Sequence, residues 1–293
     1  MPDWATFAGF AGVVLVFLLL LAHASKAVVS GDARTPVPAR PERSYPGSVD
    51  PGVEEVRSNV DEVRPNVGDA DRSLIDATDG GPIAGVTGAH PEAARPQLST
   101  TALLANVAIS QGAFGLLLLA GAWFTEIPVA AFGVSAPVVS PATVGVGVAL
   151  GVGLYAANEV GAIVGERLGV GADEGLREAL APESVAGWTV LLFVVLPIIA
   201  GFEELLFRGV LVGVFAAGFG LSPWLLATLS SVAFALGHGA QGPAGVVVTG
   251  LLGFVLAAAF VLTGSLLVVV VAHYLVNALE FVVHEGLGLD GWG

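Results

Sequence analysis

The feature that most limits the fold of this chain is its series of long apolar runs. Stretches such as 188–207, 243–262 and 266–283 approach the roughly 20 residues that a helix needs to cross a membrane. A separate, shorter helix at 210–219 is expected after the first of them. Of all 293 residues, 55% are hydrophobic and only 12% are charged, whereas a soluble domain has roughly a quarter charged residues. Because backbone groups in lipid must be paired within their own segment, the runs predict an all-α, polytopic membrane protein with about seven to eight transmembrane helices.

The chain divides into four predicted regions: an N-terminal transmembrane anchor at 1–24, an acidic loop rich in Pro and Gly at 25–99, additional transmembrane helices at 100–186, and a core that carries the polar motifs at 187–285. The leading segment MPD has no basic residue. The apolar run behind it is longer than the roughly 7–15 residues of a secretory signal. We therefore expect the first helix to be retained as an anchor.

The loop differs in composition from the rest of the chain. It holds twelve of the 25 Asp and Glu residues and shows no sustained hydrophobic periodicity. Such a segment cannot bury enough apolar surface to offset its chain entropy, so we expect it to be largely disordered, with at most a short helix around 53–63. Acid-rich segments with few lysines suit a high-salt, halophile-like cytoplasm, and an ordinary acidic linker is the alternative.

Charge and cysteine content narrow the class of protein further. The formal net charge is −14 and there is no cysteine. The first value argues against nucleic acid as a partner, and the second excludes disulfides and cysteine metal sites. Basic residues flank the long loop and follow the third apolar run, while 125–142 has none. The positive-inside rule thus predicts a multi-pass protein of the cell membrane with the long loop in the cytoplasm.

The stretch GFEELLFRG, 201–209, places three ionisable residues inside an apolar run. Glu204 and Arg208 are four apart and can pair on one helix face, whereas Glu203 is rotated about 100° away. This pattern predicts a structural ion pair beside a free carboxylate that faces a cavity. Pro197 is expected to kink the helix and free a carbonyl. The alternative is that all three ionisable groups merely cap a helix end at the membrane interface.

Two later apolar runs carry histidines in similar patterns. Phe234 precedes His238 by four residues, so its ring can support the imidazole. His273 precedes Asn277 by four residues, and the amide can orient the imidazole or donate to an oxyanion. Glu280 and His284 continue this face but lie roughly 10–16 Å along a regular helix from His273, so we expect them to make helix–helix contacts instead.

If these helices pack together, two hydrolytic chemistries are open. Glu203, His238 and His273 could bind a divalent metal such as zinc as a His₂Glu set with an open position for water. Alternatively, Glu203 and a histidine could activate water without a metal, with Asn277 stabilising the oxyanion. The residues do not choose between them, and the HExxH signature of soluble zincins is absent.

In this order, the three motifs resemble those of the CPBP (ABI) intramembrane proteases, which include the type II CAAX prenyl endopeptidases. The motifs are EExxxR from Glu203, FxxxH ending at His238, and HxxxN from His273. The resemblance covers roughly 188–283. It implies an all-helical membrane fold with a site open to the cytosolic side, where Glu203, His238 and His273 surround the hydrolytic water. The resemblance also implies that the second glutamate and the arginine of the family's first motif correspond to Glu204 and Arg208. The asparagine of its last motif corresponds to Asn277.

The sequence therefore predicts an intramembrane endopeptidase that lies in the lipid bilayer and cleaves a membrane-associated protein or peptide. A CAAX-prenylated protein is one of the substrates that fit this prediction. Glu203 would activate water, and Arg208 would hold Glu204. Two alternatives remain open from the residues: a non-proteolytic binding or immunity protein on the same fold, and a transporter that uses the polar groups as an ion path. A transporter would favour repeated, broken helices in matching halves, and none is evident.

Overall fold

The described part of the chain is a bundle of helices. The computed structural model describes residues 1–31, 99–135, 139–167, 169 and 175–289. Within these ranges no strand occurs, and two short 3₁₀ turns accompany eight helices. The helices are α1 (Trp4–Gly31), α2 (Thr100–Phe124), α3 (Pro141–Arg167), α4 (Gly175–Leu180), α5 (Val185–Phe219), α6 (Pro223–Gly237), α7 (Gly242–Thr263) and α8 (Leu266–Gly286). The predicted all-α fold is confirmed.

Six of these helices are long and apolar enough to cross a membrane: α1 as far as His23, α2, α3, α5, α7 and α8. Helix α6 is also apolar but has only 15 residues. The described residues thus hold one spanning helix fewer than the lower limit of the predicted seven to eight, and the chain is a multi-pass membrane protein. The predicted disorder of the acidic loop and the short helix around 53–63 lie outside the described residues.

Helix α5 carries the EExxxR motif and is continuous, so the expected break between 207 and 210 is wrong. Two π-helical stretches, Leu191–Val195 and Leu205–Val214, replace regular α-helix within it. The first ends just before Pro197, which has no N–H for the carbonyl four residues earlier. A π-helical turn thus precedes Pro197, and the kink expected at this residue stays a prediction. The second follows Glu204 directly and buries eight of its ten residues, so the charged residues lie inside protein and not at a helix end.

Helix α1 belongs to the same apolar core as the motif helices. Its buried residues Phe7, Ala11 and Val14 form one stripe and share a cluster with residues of α2, α5 and α6. Phe7 meets Phe132 edge to face at 5.9 Å between ring centroids. Asp3 caps the helix by accepting from the Thr6 backbone N–H at 3.1 Å. The first helix is therefore packed as an integral element of the bundle.

Helix α3 approaches α8 closely through two glycines spaced as GxxxG. A Cβ at Gly151 would lie 2.8 Å from the carbonyl oxygen of Ala272, and one at Gly147 would lie 2.9 Å from that of Val268. Small residues four apart allow such close backbone contact between membrane helices. Ala272 directly precedes His273, so this contact helps to set where the motif histidine lies.

The glycine contact leads to a stability prediction. We expect Gly151→Val to force α3 away from α8 and to lower the free energy of unfolding by about 1–3 kcal/mol, as overpacking does in other close contacts. Tryptophan fluorescence during thermal unfolding in detergent measures this, since the chain has five tryptophans. Gly153→Val is the matched control, because a Cβ there meets nothing within 4 Å. Equal unfolding temperatures for the two variants would contradict the close α3–α8 contact.

Candidate active site

Arg208 lies at the centre of the motif residues and is fully buried. Its Nη1 donates to Oε1 of Glu204 at 2.7 Å, which is the ion pair predicted from the sequence. Its Nη2 donates to the backbone carbonyl of Gly253 on α7 at 2.8 Å. The guanidinium carbon also lies 4.7 Å from the ring centroid of Phe234, a distance at which the ring face attracts a cation. Arg208 thus connects α5, α6 and α7.

Glu204 accepts a second hydrogen bond at the same oxygen. Nδ1 of His273 lies 2.7 Å from Oε1 of Glu204, and His273 is only 4% exposed. Because an ionised carboxylate only accepts, Nδ1 donates and Nε2 carries the lone pair. A buried carboxylate that holds an imidazole in one tautomer is the arrangement of the Ser-His-Asp triads. The sequence pairs Glu204 with Arg208 and does not show the contact with His273.

Glu203 faces the other side of the same imidazole. Its Oε2 lies 3.7 Å from Nε2 of His273, too far for a direct hydrogen bond. This oxygen is buried and has no hydrogen-bond partner within the described residues. Two polar atoms at this distance can share one water that lies beside the line between them. The arrangement agrees with the expectation of a free carboxylate beside a structural ion pair.

His238 lies at the end of α6 and is half-buried. Its Nδ1 is 2.8 Å from the carbonyl oxygen of Phe234. A carbonyl only accepts, so Nδ1 donates and Nε2 is left for another partner. The Phe234 ring supports the imidazole of His238 as expected, with ring centroids 4.5 Å apart. The same phenyl ring also contacts His273, with centroids 5.9 Å apart. Phe234 therefore packs against both motif histidines.

Asn277 lies one turn beyond His273 on α8 and is half-buried. Its side-chain amide makes no hydrogen bond to any described residue. Since Glu204 already holds the imidazole of His273, the orienting role considered for Asn277 is taken by that carboxylate. The donor role toward an oxyanion stays a prediction.

The predicted metal ligands are not gathered into one set. Donor atoms that share an ion lie close together, yet those of Glu203, His238 and His273 do not form a group within 4.8 Å of one another. Glu203 and His273 face each other, whereas no hydrogen bond or ion pair among the described residues joins His238 to either of them. In this geometry the three residues do not fit a shared zinc ion.

A second polar cluster lies where α8 meets α3 and α4. Glu280 accepts from Asn158 and, at 3.1 Å, from Arg177. His284 bonds Glu159 at 2.9 Å. These contacts match the helix–helix role expected for Glu280 and His284. The regular helix assumed from the sequence ends at Glu280, because α8 becomes π-helical over Phe281–Gly286.

Two further groups support the site and were missed from the sequence. The first is the carbonyl of Gly253, and a backbone acceptor gives no sequence signal. The second is Ser230, whose hydroxyl donates to the carbonyl of Phe207 at 2.6 Å and ties α6 to the π-helical stretch of α5. A polar pair in an otherwise apolar helix, Ser230 and Ser231, was the available signal for this contact.

A comparison with protein families identifies the motif-bearing region. Residues 185–279 match the family model described as type II CAAX prenyl endopeptidase Rce1-like. This segment is therefore similar to that family. The resemblance to the CPBP family is thereby confirmed for residues 185–279, while 1–184 and 280–293 lie outside the match. No curated protein and no solved structure matches the chain.

The Rce1-like match supports an intramembrane endopeptidase of the CAAX type in general. Such an enzyme implies a membrane-associated substrate and a lipid environment, in agreement with the six apolar helices. Of the residues in the family motifs, Glu203 and His273 form the gap, and Glu204 and Arg208 support it.

The central arginine generates a prediction about stability. Arg208→Lys keeps the charge but replaces a planar fork with a single ammonium group, which cannot serve both Glu204 and the Gly253 carbonyl. A buried acceptor is left unpaired, and we expect the free energy of unfolding to fall by about 1–3 kcal/mol. Thermal unfolding in detergent measures it. Arg167→Lys, at the exposed end of α3, should unfold like the wild type, and a similar behaviour of both variants would refute the bidentate role.

Proposed function

We propose that this protein is an intramembrane endopeptidase that cleaves a peptide bond of a membrane-associated, CAAX-type substrate. The observation that carries the proposal is the buried, unpartnered Oε2 of Glu203, 3.7 Å from the lone-pair nitrogen of His273. A buried carboxylate oxygen without a partner is costly. A water molecule about 2.8 Å from both atoms would satisfy them together.

Hydrolysis proceeds through that water. The water donates one hydrogen to Glu203 and the other to Nε2 of His273, so its lone pair faces away from both groups. As the oxygen attacks the carbonyl carbon of the scissile bond, Glu203 takes a proton as general base. The tetrahedral oxyanion collapses, the C–N bond breaks, and Glu203 returns the proton to the leaving amine. Carboxylate and imidazole are both regenerated.

The other motif residues prepare this step. Glu204 keeps His273 in the tautomer with a free Nε2, and Arg208 fixes Glu204. Asn277, with an amide that is not engaged by any described residue, donates to the oxyanion. His238 presents its Nε2 at the end of α6 and positions the substrate or the water.

Substrate access fits the same proposal. The glutamates lie near the middle of a 35-residue membrane helix, which suits a substrate that arrives from the lipid. The positive-inside pattern supports a cytoplasmic long loop, and in this proposal the site opens to the same side of the membrane. A prenylated C-terminal peptide is a substrate of this kind, since its lipid holds the scissile bond at the membrane.

Replacement of the proposed base tests the function directly. Glu203→Gln keeps the size of the side chain but removes its basicity, so we expect cleavage to fall by at least about a hundred-fold. Mass spectrometry of new peptide termini in host membranes, compared between wild type and variant, measures this for any protein substrate. Glu159→Gln, another partly buried glutamate within a membrane helix, is the control. Identical terminus maps for the wild type and Glu203→Gln, at equal abundance, would sink the enzyme proposal.

The geometry also predicts metal independence. Because Glu203, His238 and His273 do not form one ligand set, we expect purified protein to keep its cleavage rate after dialysis against EDTA. The rate is measured before and after dialysis and after addition of zinc. A loss on chelation that zinc restores would show that His238 moves to join the other two residues in a metal site.

A further inference from the structure

Helix α7 carries none of the three motifs, yet it touches the buried arginine at one residue, Gly253. The carbonyl oxygen of Gly253 accepts from Nη2 of Arg208 at 2.8 Å. A helix carbonyl has two lone pairs, so it can accept this bond in addition to its bond within the helix. The acceptor is part of the backbone, and its position is therefore set by the packing of α7 against α6.

The absence of a side chain at Gly253 also affects the position of Arg208. A Cβ at this position would lie 2.9 Å from Cδ1 of Phe234 and 3.3 Å from Nη2 of Arg208. The Phe234 ring has little room to retreat, because Phe207 packs against it edge to face at 5.0 Å between centroids. An added methyl group must therefore displace the ring, the guanidinium, or both.

Displacement of Arg208 reaches His273, which faces the proposed base Glu203, through two short contacts. Arg208 holds Oε1 of Glu204 at 2.7 Å, and the same oxygen holds Nδ1 of His273 at 2.7 Å. A shift of Glu204 turns the imidazole and changes the gap between Nε2 and Glu203. Small misplacements of reacting groups have large effects on rate.

We propose that Gly253 is a positioning residue for hydrolysis, which fixes the geometry of His273 through Arg208 and Glu204. The proposal rests on the proposed function. It gives α7 an indirect part in catalysis, through the contacts of Gly253 with Arg208 and Phe234. Alanine favours a helix interior more than glycine does. Helix propensity alone would therefore make Gly253→Ala harmless or stabilising, whereas the proposal predicts a loss of activity. A Gly253→Ala variant should thus lose activity without losing helix.

The test compares Gly253→Ala with Gly250→Ala. Gly250 lies one turn earlier on α7, and a Cβ there meets the Cβ of Ala235 on α6 at 3.2 Å. Both variants tighten the same helix contact, but only one touches Arg208 and Phe234. With a farnesylated CAAX peptide as the probe in proteoliposomes, we expect kcat to fall at least about ten-fold for Gly253→Ala, with KM unchanged. Gly250→Ala should match the wild type in both constants.

A spectroscopic readout makes the test independent of turnover. The chain has five histidines, so solid-state NMR of protein with isotope-labelled histidine resolves few ring signals, and His273→Asn assigns the relevant one. Gly253→Ala should shift the ring-nitrogen signals of His273, and Gly250→Ala should not. If the wild type fails to cleave the probe, the proposed substrate class fails, and the His273 signal alone decides the role of Gly253. Unchanged signals and unchanged kcat in Gly253→Ala would overturn the inference.

A double variant tests which contact carries the displacement from Gly253 to His273. Phe234→Leu removes ring atoms that the new methyl group would meet. In this background the added effect of Gly253→Ala on the His273 signals should be smaller than in the wild type, as a double-mutant cycle measures. An effect that disappears in this background would show that the Phe234 ring, which itself contacts His273, carries the displacement alone, and would overturn the route through Arg208 and Glu204.

Discussion

The oxygen Oε1 of Glu204 is the point on which the site depends. It receives one hydrogen bond from Arg208 and one from His273, both at 2.7 Å, in a place where both the glutamate and the arginine are fully buried. Charged groups are expensive inside a membrane protein unless they are paired and hydrogen-bonded. The cost of burying Glu204 is therefore offset only when α5 and α8 lie in one arrangement. The same arrangement brings His273 to face Glu203.

Much of this organisation could be predicted from the sequence, and the limits have physical causes. The pair Glu204–Arg208 and the support of His238 by Phe234 are contacts between residues four apart, which helical periodicity reveals. The bond from Glu204 to His273 joins residues 69 positions apart in the chain. No local pattern encodes such a contact, so the sequence offered only the near neighbour Asn277, either to orient His273 or to donate to an oxyanion.

The helix break that the sequence predicts after Phe207 shows a second reason why sequence patterns fail here. Charged residues followed by glycine are typical of a helix end at the membrane interface, and the sequence alone supports that interpretation. The structure instead widens the helix into a π-helical stretch over Leu205–Val214. π-helical turns are rare and often lie at functional sites. The donor for the Phe207 carbonyl comes from Ser230 on another helix, and a single-helix pattern cannot show it.

The contact of Gly147 and Gly151 with α8 shows that the family-matched segment packs against helices outside it. The Rce1-like segment begins at residue 185, so α3 lies outside it, although α3 is in backbone contact with the residue before His273. Phe7 of α1 likewise completes the core around Phe207 and Phe234. The Rce1-like segment therefore packs against helices outside it, namely α1 and α3. A chimaera that joined residues 185–279 to the leading helices of another protein would have to recreate those glycine and phenylalanine contacts.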